Sequence, residues 1–88
     1  MEKHKCHAIG CFISISPCFL FCDYHWSKVP ARCKQAVYAT YVSGQEVTKM
    51  TTAVYRQAAA AAIIAVAEQE GQAIPAIYRT MAAGKEDT

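Results

Sequence analysis

Residues Ile13 to Ser16 alternate apolar and polar, Ile-Ser-Ile-Ser, the period of a strand with one buried face. Pro17 ends that run, and "CFLFC" at 18–22 reads as a return strand, giving a short hairpin. Beyond Pro30 the period changes. Cys33, Val37 and Tyr41, with Ala36 and Thr40 beside them, recur at helical spacing, and Arg32, Lys34 and Gln35 occupy the opposite face. Proline suits an opening turn because its missing N–H is not needed there, and Gly44 is a natural stop, so a helix is predicted over about 30–43.

The polar stretch "SGQEVTKMTT" follows, and Thr51 or Thr52 is placed to cap a second helix that runs to about Gln69 and ends at Gly71. Its centre, "AAAAAIIAVA", is apolar on every side and rich in the strongest helix former. A helix of that kind needs cover all round. One source is a short third helix from about Pro75 to Ala83, with Ile74, Ile77, Tyr78 and Met81 inward. The other is a second copy of the chain. Ala58, Ala62 and Ala65 would allow two helices to approach closely, which predicts a homodimer. The terminal "GKEDT" should fray.

The expected fold is therefore small α+β and mostly α: an N-terminal knuckle with a short β-hairpin, followed by two or three helices. Residues 1–88 form one domain, with a knuckle region at 1–30 and a helical region at 31–88. Four of the five cysteines, all three histidines and two of the three prolines fall before residue 31.

At 88 residues the chain hides only a modest share of its surface, so a cross-link or a metal would supplement its core. The longest apolar run, Ala58 to Ala67, is too short to span a bilayer. Cys6, His7, Cys11 and Ser14 break up the stretch where a signal peptide would be continuously apolar, which predicts a cytoplasmic protein. In a reducing compartment an odd cluster of five cysteines points to metal sooner than to disulfides. The formal charge of +2 counts every thiol as neutral; three thiolates on one Zn²⁺ would lower it to about +1, too little for a strong electrostatic hold on nucleic acid.

Cys6-x4-Cys11 and Cys22-x2-His25 are two pairs separated by ten residues, and each can bring two ligands to one side of a tight turn. Four ligands of this kind suit tetrahedral Zn²⁺, and Cys3His is a closed structural set with no position left for water. The expected cofactor is one structural Zn²⁺; the ligand types also suit iron. Cys18 or His7 could replace one member. Cys33, on the helix stripe, reads as a small core residue.

"CHAIGC", "CDYHW", "VP", "AVYATY", "GQE" and "TAVYRQAAAAA" together resemble a family of small uncharacterised zinc-knuckle proteins of tailed bacteriophages and prophages. Its members share a Cys-x4-Cys pair, a Cys-x2-His-Trp element, a Leu-Pro or Val-Pro, an aromatic-rich helix ending near Gly-Gln and an alanine-rich second helix. The resemblance covers most of residues 6–70. It implies Cys6, Cys11, Cys22 and His25 as the ligands, leaves Cys18 and Cys33 outside the set, and implies a protein of the bacterial host cell. The family's Pro-Pro-x-Met stretch is replaced here by "SPCFLF". With a metal in place, Trp26 is expected to cover it, and Val29 and Pro30 to seat the first helix.

A closed ligand set and no catalytic constellation predict a non-enzymatic accessory protein. It would act by binding a host or phage protein, for instance by inhibiting a host defence or regulatory factor. The alternative is a zinc-dependent DNA- or RNA-binding module, with Lys28, Arg32 and Lys34 as its contact residues and Lys3 and Lys5 beside Cys6. Glu2, Asp23 and Glu46 nearby make a solvated face the simpler reading of that edge. An enzyme is not expected: His4, His7 and His25 have no placed carboxylate or oxyanion site beside a thiol, and no Gly-rich phosphate loop is present.

Overall fold

The structure, a computed structural model, describes residues 3–16, 19–42 and 51–84. Two short strands, β1 (His4–Lys5) and β2 (Ser14–Ile15), lead into a one-turn helix, α1 (Asp23–Trp26). Three longer helices follow among the described residues: α2 (Ala31–Thr40), α3 (Ala53–Glu70) and α4 (Ala76–Ala82). The chain is mostly α with a two-stranded antiparallel hairpin near its start, as the pattern predicts.

The hairpin pairs differently from expectation. β2 lies against β1, with His4 opposite Ile15 and Lys5 opposite Ser14, so the partner comes from before Cys6 and not from "CFLFC". The cause is the turn between the first two cysteines. Gly10 takes a φ of +84°, a left-handed conformation that suits glycine, and the Cys11 N–H donates to the Ala8 carbonyl at 3.1 Å. The chain reverses there, and the Cys6 N–H reaches the Ile13 carbonyl at 2.8 Å. The later segment is held from the other side, where the His7 N–H donates to the Leu20 carbonyl at 3.1 Å. With only two residues per strand the alternation is truncated: Ile15 is buried and Ile13 is exposed.

Helix α2 turns Cys33 and Val37 into the core, leaves Tyr41 half-buried and exposes Ala36. It ends sooner than predicted. The Thr40 hydroxyl donates back to the Ala36 carbonyl at 2.7 Å, and Tyr41 leaves the helix in an extended conformation with its ring 6.2 Å from that of Tyr55. Gly44, the expected stop, lies outside the described residues, as do Cys18 and the tail beyond Gly84.

Helix α3 begins and ends where its caps predict. The Thr52 hydroxyl accepts from the Tyr55 N–H at 3.1 Å, and Gly71 closes the other end at φ +69°. Ala58, Ala59, Ala60, Ala62, Ile63, Val66 and Ala67 are buried, with α2 and α4 both packed on this helix. Ala61, Ile64 and Ala65 are half-buried. Most of the cover is thus supplied inside the chain. In α4, Tyr78 packs against the core, whereas Ile77, expected inward, is 64% exposed. Neighbouring helical positions point about 100° apart, so a seven-residue helix resting on Tyr78 turns Ile77 outward. No helix among the described residues is long and apolar enough to cross a membrane.

Candidate metal centre

The first pair of sulfurs comes from the Gly10 turn and the second pair of ligands from α1. "DYHW" is the single turn of that helix, and the Trp26 N–H closes it on the Cys22 carbonyl at 2.8 Å. One helical turn puts residues three apart on the same side, so Cys22 and His25 face one point. The Cys22 sulfur lies 3.2 Å and the Cys6 sulfur 3.7 Å from His25 Nδ1, and the Cys22 N–H donates to the Cys6 sulfur at 3.2 Å.

The ligand atoms of Cys6, Cys11, Cys22 and His25 all lie within 4.8 Å of one another. Bond lengths of about 2.0–2.3 Å place the ligands of a tetrahedral Zn²⁺ roughly 3.4–3.8 Å apart. The sulfur–nitrogen distances of 3.2 and 3.7 Å lie within about 0.2 Å of that spacing, and the four atoms, all within 4.8 Å of one another, would have to draw in by up to about 1 Å. Cys6, Cys22 and His25 are buried and Cys11 is half-buried, so the ion would sit at the edge of the core. These four residues could hold a metal ion. His7, the alternative ligand, shares a hydrogen bond with His4 Nδ1 at 3.3 Å through its Nε2, and Cys33 belongs to the hydrophobic core.

Burial pushes the Cys6 thiol up to about 11, an effect that the backbone N–H groups of Cys22 and Ala8 only partly offset. Burial acts in the same sense on Cys22, but there hydrogen bonds from the His25 backbone and ring, together with those to Cys6 and Cys11, outweigh it and bring the thiol down to about 7. The cluster therefore readily holds one negative charge without a metal. A divalent cation would take the remaining protons off the sulfurs.

The sequence pattern does not point to Glu70. It stands at the last turn of α3, and its Oε1 and Oε2 are each 3.2 Å from His25 Nε2. Lys28 Nζ lies 4.0 Å from the same carboxylate. His25 and Glu70 stand 45 residues apart, which hides their contact from any local motif.

Trp26, expected over the ion, joins an aromatic seam. Its ring is 6.2 Å from Phe21 and 5.7 Å from Tyr38, and Lys34 Nζ lies 5.4 Å from its centre. Phe19, Phe21, Trp26, Tyr38, Tyr41 and Tyr55 are among the residues that line a groove of about 430 Å³ along this seam. Of the three basic residues proposed to meet a partner, Lys28 sits near Glu70 and over the Tyr24 ring, Lys34 sits over Trp26, and Arg32 is exposed on α2.

Fold and site together define a small α+β protein carrying a Cys3His cluster between its N-terminal turns. No family model, curated protein or solved structure matches the chain.

Proposed function

We propose that this is a non-enzymatic protein that carries one structural Zn²⁺ on Cys6, Cys11, Cys22 and His25 and acts by binding another protein. The observation that carries the reading is the completeness of the donor set: three sulfurs and one imidazole within 4.8 Å fill all four positions of a tetrahedral ion. A filled shell leaves no water to activate, so the ion would act by fastening the Gly10 turn to α1.

The aromatic seam supports the binding half of the proposal. Tyr38 and Phe19 are exposed beside a groove already lined by apolar rings, and aromatic residues around a pocket are typical anchors of protein interfaces. The resemblance to phage and prophage proteins supports a host or phage protein as the partner, with inhibition of a host defence or regulatory factor as one form of that activity. The nucleic-acid reading draws less support, because Lys28 and Lys34 are engaged within the chain.

Zinc content and partner capture test the proposal together. The wild-type chain should hold one zinc and retain a stoichiometric host protein, and Tyr38→Glu should release the partner while keeping the zinc. Retention of duplex DNA in place of protein, weakening steeply with added salt, would favour the alternative.

A further inference from the structure

We infer that the end of α3, Gln69 to Gln72, is the outer shell of the metal centre, with Glu70 as the positioning residue that turns His25 Nδ1 toward the ion. The inference rests on the metal reading of Cys6, Cys11, Cys22 and His25.

An imidazole carries one proton when neutral, and the nitrogen that holds it cannot ligate. Both oxygens of Glu70 approach His25 Nε2 at 3.2 Å, and a carboxylate only accepts hydrogen bonds. When an ion displaces the Nδ1–H that otherwise donates to Cys22, the ring's remaining proton is therefore held on Nε2 and the lone pair is freed on Nδ1, the atom that faces the sulfurs of Cys22 and Cys6. Without that acceptor the ring could take the other tautomer or rotate. Metal-bound histidines commonly use their second nitrogen in this way.

The neighbours of Glu70 extend the shell. Gly71 ends α3 in the left-handed conformation, and the Gln72 N–H donates to the Ala67 carbonyl at 2.9 Å, so this end of the helix has a defined course. The Gln69 side-chain amide donates to the Lys28 carbonyl, which follows α1. On the other side, the Gln72 amide abuts the turn between Cys6 and Cys11: a side chain at Gly10 would come within 3.3 Å of it. One short segment of the helical region thus lies against His25 and against the turn that joins Cys6 to Cys11. The metal would tie the knuckle to α3 through these contacts, although none of the segment's residues is a ligand.

Zn²⁺ affinity by chelator competition, measured for wild type, Glu70→Ala, Glu70→Gln and Glu68→Ala, tests this, together with the nitrogen NMR shifts of the His25 ring. Glu68 is the control: it is exposed on the same helix and lies 3.9 Å from Arg79. Glu70→Ala should bind Zn²⁺ about 10–100-fold more weakly. Glu70→Gln should fall between it and wild type, because its amide oxygen still accepts from Nε2. Glu68→Ala should match wild type, and the wild-type ring should carry its proton on Nε2 and the ion on Nδ1. Equal affinity across all four chains, or an ion on Nε2, would overturn the inference while leaving the zinc site standing. A wild-type chain that takes up no Zn²⁺ would overturn the zinc reading and this inference with it.

Discussion

Cys6 and Cys22 share one neighbourhood yet hold their protons differently, with Cys6 at about 11 and Cys22 at about 7 against an ordinary 9.0. A thiol whose folded value is depressed favours its thiolate in the native state, so Cys22 contributes stability above pH 9 that is lost as pH falls through about 7. Cys6 has the opposite sign. Its buried neutral thiol contributes below pH 9, and that contribution is lost as pH rises through about 11. In protein stripped of its metal under conditions that retain the fold, the ultraviolet thiolate absorbance should therefore show a first step near pH 7 that Cys22→Ser removes. A first step unchanged by that substitution would place the early thiolate elsewhere. The residue types and spacing of the Cys3His cluster could be read from the chain, because each pair sits on a turn of a few residues. Glu70 could not, since nothing local distinguishes a glutamate at a helix end that reaches His25 from one that faces water.

At the scale of elements, α3 was the most legible, because its signals are local: a hydroxyl at Thr52, an unbroken alanine-rich run and a glycine at 71. Thr52→Ala should cost about 1 kcal/mol, the usual value of an N-cap, measured by thermal or denaturant unfolding. The strand pairing was harder to read. Two-residue strands leave too little alternation to set a partner, and the positive φ of Gly10 decided which segment came back. The inward face of α4 was read one residue too broadly. Ile63, 3% exposed in α3, and Ile77, 64% exposed in α4, make a direct comparison. Ile63→Ala should destabilise by about 2–5 kcal/mol, whereas Ile77→Ala should change stability by no more than about 0.5 kcal/mol. Similar costs for the two would mean that α4 packs through its other face.

For the whole molecule, the apolar length of α3 raises the expectation of a homodimer through Ala58, Ala62 and Ala65; Ala58 and Ala62 are covered within the chain, and Ala65 is half-buried. Sedimentation at tens of micromolar, on the order of ordinary assay concentrations, should accordingly give a monomer; a dimer would require another face, such as the aromatic groove. Among the described residues the core cluster includes Cys6 and Cys22 themselves. Removing a metal from such a protein should loosen more than the knuckle, because the ligands are also part of the packing. Native mass spectrometry with metal analysis, on protein purified without added metal and alongside Cys22→Ser, puts this most directly to the test. One zinc per wild-type chain, lost in the variant together with the folded charge-state distribution, is the expected result. A wild-type chain that is folded and metal-free would contradict it.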